Sequence, residues 1–170
     1  ERRFQIQPKR WMLQDYNFET PHNDVKGITD TIVQNSVPNY EMFDYPGLFK
    51  DSGLGGTMSK NRMQESESAY EVIFAQGSGR SMKPGFRFTF TDHPIAKQNG
   101  EYVITTVLHT GGQTAYRSAG GGGAESEHYS NSFTCIPRAI QYRHARITPK
   151  PVVNGSQTAF VVGPAGEEIY

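Results

Sequence analysis

Five histidines, one cysteine and a few glycine-flanked serines are the residues of this 170-residue chain best suited to chemistry. His22, His93, His109, His128 and His144 never stand in the H-x-x-x-H or H-x-H spacing that would set two imidazoles on one zinc ion. Asp92-His93-Pro94 reads as a turn in which the aspartate caps the backbone. Gly77-Ser78-Gly79-Arg80-Ser81 lacks the G-x-S-x-G order of a nucleophile elbow and the Lys-Ser/Thr pair of a phosphate-binding loop. It reads instead as a tight loop between two antiparallel strands. A Ser-His-Asp triad is recognised by geometry, not chain order, and no motif surrounds any serine here. Cys135, in an apolar alternation between Phe133 and Pro137, reads as a small buried hydrophobe. Glu65, Glu67, Glu167 and Glu168 read as solvated faces. The basic stretch Arg138, Arg143, His144, Arg146 and Lys150 is the one candidate for nucleic acid, and a solvated linker or a subunit contact explains it equally well. No catalytic, cofactor-binding or metal-binding residue is therefore expected.

The elements that would position these residues are mostly strands. Val and Ile number 20 against 4 Leu, with 13 Thr beside them. β-Branched and aromatic residues suit a pleated, half-buried surface. The 18 Gly and 10 Pro imply many turns between short elements. Alternation predicts strands over Trp11–Phe18, Glu41–Tyr45, Glu71–Ala75, Phe86–Phe90, Tyr102–His109, Tyr129–Pro137 and Ala159–Gly163. One helix is predicted near 56–70, after Gly55, with Thr57 or Ser59 as its cap. Its apolar stripe is thin, which suits packing on a sheet margin. Gly120–Gly123 lies in a polar, flexible connector. Thr148-Pro149-Lys150-Pro151 is stiff, because each proline fixes its own φ and restrains its predecessor, and it marks a module boundary.

Composition removes several function classes. Seventeen basic against 17 acidic residues give no net charge, so neither a polybasic nucleic-acid binder nor an electrostatic membrane anchor is supported. Leu, Ile, Val and Phe are sparse enough to sit near the disordered range, but 20 aromatic residues argue for a folded chain. No apolar run is long enough for a transmembrane helix. A single cysteine excludes an intrachain disulfide framework. The chain opens on Glu1 and stops within a strand-like run, so a piece of a longer protein is expected.

Several passages, in order, resemble the VgrG family, the spike proteins of bacterial type VI secretion systems. Trp11-Met12-Leu13-Gln14-Asp15-Tyr16-Asn17-Phe18-Glu19-Thr20-Pro21 resembles that family's W-x-L-x-D-Y-x-F-x-x-P passage. Tyr40-Glu41-Met42-Phe43-Asp44-Tyr45-Pro46-Gly47 resembles its Y-E-x-Y-D-Y-P-G passage, with Phe43 in place of a tyrosine. Pro84–Phe88, His93-Pro94, Tyr102–Thr105 and His109 resemble the strands that follow. Tyr142-Arg143, Pro149-Lys150-Pro151 and Gly155–Pro164, ending in Glu167–Tyr170, resemble its hub-to-spike junction.

That resemblance implies a mainly β protein with one helix, built of barrel-like hub modules of antiparallel strands. Residues 1–147 would be the later part of a phage-tail-hub-like region. Residues 148–170 would be a linker and the first strands of an OB-type spike barrel, with the module junction at Pro149, Pro151, Asn154 and Gly155. The implied role is structural: part of a trimeric hub and spike, docked on a hexameric tube and supporting a membrane-puncturing needle. Its implied partners are two further copies of itself, an Hcp-like tube protein, baseplate components, and a spike-tip protein and effectors held by parts outside this segment. Assembly in the bacterial cytoplasm followed by ejection would go with that role, without stable membrane insertion or nucleic acid. Two other classes compete: a carbohydrate- or ester-active β-domain, motivated by the aromatics with His93 and His109, and a single-strand nucleic-acid binder resting on Arg138 to Lys150.

Overall fold

Two sheets and one helix make up the computed structural model, which describes residues 1–33, 37–112 and 129–160. The strands are β1 (Arg2–Phe4), β2 (Pro8–Asp15), β3 (Val25–Asp30), β4 (Val37–Asp44), β5 (Glu71–Gly77), β6 (Arg87–Phe90), β7 (Gly100–Gly111) and β8 (Tyr129–Pro137), with helix α1 at Ser52–Ser68. One sheet has the order β3-β2-β4, and the other β1-β5-β8-β7-β6. The protein is mainly β, as expected, and its five-stranded sheet is antiparallel throughout. The β2–β4 pair is parallel, a pairing that the expectation of antiparallel modules does not foresee.

In the three-stranded sheet, Trp11 and Leu13 of β2 and Val25 of β3 turn toward α1, and Phe49 and Met63 complete a buried cluster. The helix covers β3 and β2 with the stripe Gly55, Ser59, Met63 and Glu67, spaced by four. Only one of these four is a large apolar residue, so the sequence shows a thin stripe where the fold has a tight contact. A Cβ on Gly27 of β3 would lie 2.0 Å from the Gly55 carbonyl oxygen, so helix and strand touch backbone to backbone. Polar links fill the rest of the contact. The hydroxyls of Ser59 and Thr29 lie 2.8 Å apart. The buried Glu67 carboxylate accepts from Thr31 Oγ1 at 2.7 Å and from the Ile32 amide at 2.8 Å.

The helix begins earlier than Gly55, and its cap is neither Thr57 nor Ser59. Asp51 holds an extended backbone and its side chain accepts from the Leu54 amide at 2.9 Å, the standard way to satisfy an orphan N–H of the first turn. Thr57 donates to the Gly53 carbonyl, and Ser59 to that of Gly56. The glycines at 53, 55 and 56 look like helix breakers in sequence, yet all three lie inside the helix; close packing requires a small residue at Gly55, whereas a Cβ on Gly56 would meet open space.

In the five-stranded sheet, Tyr102, Ile104, Phe133 and Cys135 form the buried cluster, with Ile73, Ala75, Met82, Phe88 and Val107 against it. Phe88 meets the Phe133 ring edge-on at 5.8 Å. A register shift between Ile104 and Thr106 bends β7, and Thr105, Thr106 and Thr134 hydroxyls stitch it. The predicted strands at 71–75, 86–90, 102–109 and 129–137 all appear. Gly77–Ser81, however, does not join paired neighbours: β5 and β6 are separated by β8 and β7, and the loop crosses between them. The 11–18 strand stops at Asp15, where the carboxylate accepts from the Tyr16 amide and Asn17 opens a turn. Strands β1 and β3 carry no sequence signal strong enough to mark them, being respectively three residues long and interrupted by Gly27.

Candidate functional site: assembly face and module junction

The first two motif passages form one unit. β2 carries the first and β4 the second, and they pair with Trp11 beside Met42, Met12 beside Phe43 and Leu13 beside Asp44. A two-residue surplus on β4 is absorbed around Asn39, whose φ is 64°. The chain after β4 turns through Pro46-Gly47 and is tied back to β2. The Gly47 amide donates to the Gln14 carbonyl at 2.9 Å, and the Phe49 amide to Asp15 Oδ2 at 3.1 Å. Asp15 Oδ1 accepts from the Tyr16 amide at 2.7 Å. The Tyr16 amide, with those of Phe49 and Leu48, holds the Asp15 carboxyl below its usual range. Phe49 itself is packed so closely that a Cβ on Gly47 would lie 2.1 Å, and one on Gly55 2.6 Å, from its ring. Both motifs thus build a turn and a core, and neither builds a reaction centre.

The face of this sheet turned away from α1 is different. Ile28, Met12 and Phe43 form one cross-strand row there, by their pairing across β3, β2 and β4. Ile28 is 52% and Phe43 54% exposed, and Tyr45 is 57% exposed beyond them. The neighbouring row is ionic: Arg10 reaches Asp30 at 2.7 Å and Glu41 at 3.3 Å. The Arg10 hydrogen bond and charge hold the Asp30 carboxyl below its usual range. An apolar row beside an ordered charged row is the composition of a protein contact, with an apolar centre and a polar rim.

The predicted junction residues Pro149, Pro151, Asn154 and Gly155 are exposed and belong to no strand or helix, and Gly155 takes a φ of 122°. Residues 141–160 as a whole form an extended leg without regular structure. Ala159 and Phe160 are not in a strand, and the remainder of the predicted 159–163 strand, with Glu167 to Tyr170, lies outside the described residues, as do Gly120–Gly123 and His128. The leg does not float free of the body at its start. Arg138 pairs with Glu101, and Arg143 Nε donates to Gln64 Oε1 at 2.9 Å. The basic stretch is partly engaged inside the protein.

The other chemical candidates stay apart. His93 Nδ1 accepts from the Ile95 amide, His109 Nδ1 meets the Tyr129 hydroxyl, and His144 Nδ1 lies against the Ala145 carbonyl. The 92–99 turn is capped by Asn99 and His93, whereas the Asp92 side chain accepts, among the described residues, from the neighbouring Thr91 hydroxyl. Asp92 contributes by adopting a φ of 62°. Cys135 is buried, and burial, with the Glu71 charge, pushes its thiol up to about 11. Among the described residues, no three His, Cys, Asp or Glu side chains converge as a metal ligand set. No described helix is long and apolar enough to cross a membrane. An apolar cleft of about 300 Å³ lies between the edge strands β1 and β6, floored by Phe88, Tyr102, Phe133 and Cys135.

Comparison with known proteins gives a consistent picture. Residues 1–115 match the family model described as phage tail baseplate hub (GPD). The type VI secretion system spike protein VgrG1c of Pseudomonas aeruginosa is 32% identical over 167 residues, 98% of this chain and 23% of that protein. VgrG3 of Vibrio cholerae, also a type VI secretion system spike protein, is 36% identical over 163 residues, 93% of this chain and 15% of its own length. The actin cross-linking toxin VgrG1 of Vibrio cholerae is 32% identical over 170 residues, 99% of this chain and 15% of the toxin. The chain thus spans less than a quarter of each of these relatives.

Proposed function

The chain belongs to the phage tail baseplate hub (GPD) family, and from that premise we propose that it is a structural part of the trimeric hub and spike of a contractile injection machine of the type VI secretion kind. The observation that carries this reading is the open face of the three-stranded sheet. Its backbone is locked by the Asp15 and Gly47 bonds and backed by α1, while Ile28 and Phe43, on either side of the half-buried Met12, remain exposed. Burying such a row contributes about 25 cal/mol per Å² of apolar surface, so a rigid sheet presenting one is suited to meeting another subunit. On this reading the segment docks on a hexameric Hcp-like tube and contacts baseplate components. A spike-tip protein and effectors would be held by regions outside it. It would assemble in the bacterial cytoplasm and leave the cell when the machine fires.

We assign it no reaction. The toxin activity in the name of the Vibrio cholerae VgrG1 is that protein's, and this chain covers 15% of it. Residues 1–147 are proposed as hub, and 148–170 as the linker and start of an OB-type barrel. The exposed, unstructured path through Pro149, Pro151, Asn154 and Gly155 supports a junction there. The ester- or carbohydrate-active alternative would need His93 and His109 to act together, and each is engaged locally. The nucleic-acid alternative loses Arg138 and Arg143 to Glu101 and Gln64.

Light scattering of this segment joined to the spike region of VgrG1c tests the reading. The expected mass is that of three chains, and Phe43→Asp with Ile28→Asp should shift it toward one. A single-chain mass without those substitutions would sink the hub reading. A trimer untouched by them would remove the open face as a subunit contact.

A further inference from the structure

Segment 141–146 is tied to α1 in an unusual way. It makes no strand pairing, yet two of its amides end on helix side chains. Ser68 Oγ, on a residue only 8% exposed, accepts from the Arg143 amide at 2.9 Å. The same hydroxyl lies 2.8 Å from the Gln64 carbonyl and 3.1 Å from that of Gln141. Glu65 Oε1 accepts from the Arg146 amide at 2.8 Å, while its Oε2 receives Arg62 Nη1 at 2.6 Å. Gln64, Glu65 and Ser68 share one face of the last helical turns, at spacings of three and four. Arg62 in turn lies over the Trp11 ring at 5.0 Å, and Trp11 Nε1 donates to Ser66 Oγ at 2.9 Å.

We propose that the C-terminal end of α1 is a latch: Ser68 and Glu65 hold the leg by the backbone amides of Arg143 and Arg146, fixing the path by which residues 147–160 leave the body. A strand ladder would hold the leg as firmly as the sheet itself, and solvent would not hold it at all. Two side-chain acceptors for amides, with Gln64 Oε1 taking the Arg143 side chain, give an intermediate grip, one that opens locally while the helix and both sheets stay folded. The grip on Arg146 continues through Glu65 and Arg62 to Trp11, so a pull on the leg reaches the buried cluster of the three-stranded sheet. That mechanical use, carrying load between the body and residues 148–170, rests on the hub-and-spike reading. The latch itself does not.

Amide hydrogen exchange on the 170-residue chain tests it. In the unaltered protein the Arg143 and Arg146 amides should exchange more slowly than those of Val152 and Val153 further along the leg. Glu65→Ala should speed Arg146, and Ser68→Ala should speed Arg143, by about tenfold each, the loss of one hydrogen bond to local opening. The Phe133 and Cys135 amides should keep their rates, and trypsin should cut faster after Arg143 and Arg146. Should Ser68→Ala also release the helix amides, Glu65→Ala decides alone, because its side chain is 23% exposed where Ser68 is 8% exposed. The latch is overturned if Arg146 exchanges as fast as Val152 in the unaltered protein, or if Glu65→Ala leaves it unchanged. A trimer with an unprotected leg sinks the latch and spares the hub reading; a monomer with a protected leg does the reverse.

Discussion

The helix-backed sheet and the five-stranded sheet bury clusters of similar size by opposite means. In the five-stranded sheet Tyr102, Ile104, Phe133 and Cys135 come from strict alternation on neighbouring strands, with Phe88 and Val107 closing over them. Each side chain can shift a little, because its neighbours are other side chains. In the helix-backed sheet the contact is made by glycine against glycine and hydroxyl against hydroxyl, with Met63 as the one large helical side chain fully buried. Backbone cannot shift to accommodate added atoms. The first arrangement should respond to substitution gradually and the second abruptly.

The largest effect is expected at Met63, which is 1% exposed at the centre of the helix-to-sheet contact. Met63→Ala should cost about 2–5 kcal/mol in unfolding free energy, the range for emptying a buried Met site that cannot collapse. Here the glycines on either side already have nothing left to fold inward. Denaturant titration followed by Trp11 fluorescence measures it, since Trp11 is the sole tryptophan and packs in the same cluster. A loss below about 1 kcal/mol would mean that the contact relaxes, against the rigidity argued above.

Gly27→Ala follows, with an expected loss of about 1–3 kcal/mol from overpacking. The added Cβ would stand 2.0 Å from the Gly55 carbonyl oxygen, a distance only a backbone movement can relieve. The matching substitution in the other sheet is Gly77→Ala, where the new carbon would meet Asn131 Oδ1 at 3.4 Å and the Phe133 ring at 3.8 Å. Those are contacts that flexible side chains can accept, so its effect should be small. Equal losses at the two glycines would erase the distinction between the sheets.

The same contrast explains what the sequence made legible. Strands β5, β6, β7 and β8 were visible because alternation is both their signal and their means of packing: Phe133 and Cys135 face in, Thr134 does not. Helix α1 was visible in all but its first turn. Its buried stripe of Gly55, Ser59, Met63 and Glu67 carries little apolar periodicity, and its first turn looks like a loop. Asp51 at the cap was the available clue. Strand β3 hid because Gly27 and Thr29 face the helix where apolar residues would be expected. The parallel pairing of β2 with β4 has no local signature, since register across a long connection is set by tertiary contacts. That Pro149 and Pro151 lie outside strands and helices was legible from proline chemistry, but the bonds from Ser68 and Glu65 to amides at 143 and 146 were not, because any residue supplies an amide.

Cys135→Ser sharpens the comparison from the side of the five-stranded sheet. The thiol is 1% exposed and lies among Tyr102, Ile104 and Phe133. A hydroxyl there would need a partner that apolar neighbours do not supply, and a loss of about 1–3 kcal/mol is expected. Cys135→Ala should cost less, because it removes volume without adding a polar group. In the unaltered protein the thiol, pushed up to about 11 by burial, should react with a thiol reagent at neutral pH only after unfolding. Rapid labelling of the native protein would show that the sheet opens far more readily than its packing implies.

The smallest effect is the response to acid, followed in the helix-backed sheet. Asp15 is held below the usual carboxyl range by the amides of Tyr16, Phe49 and Leu48, and Asp30 by Arg10. A carboxyl whose native pKa is depressed binds protons more weakly folded than unfolded, so its contribution is complete above the unfolded value, near 4. It fades as pH falls through the lower native value. The melting midpoint of this sheet, read by Trp11 fluorescence, should therefore drop between about pH 5 and pH 3. Asp15→Asn should lower the midpoint at neutral pH, because an amide offers one oxygen acceptor where the carboxylate gives one oxygen to the Tyr16 amide and the other to the Phe49 amide. It should also flatten the acid slope, leaving the share due to Asp30. A variant curve running parallel to the unaltered one would mean that the Asp15 charge does nothing for the turn, and that its hydrogen bonds act as a neutral clasp.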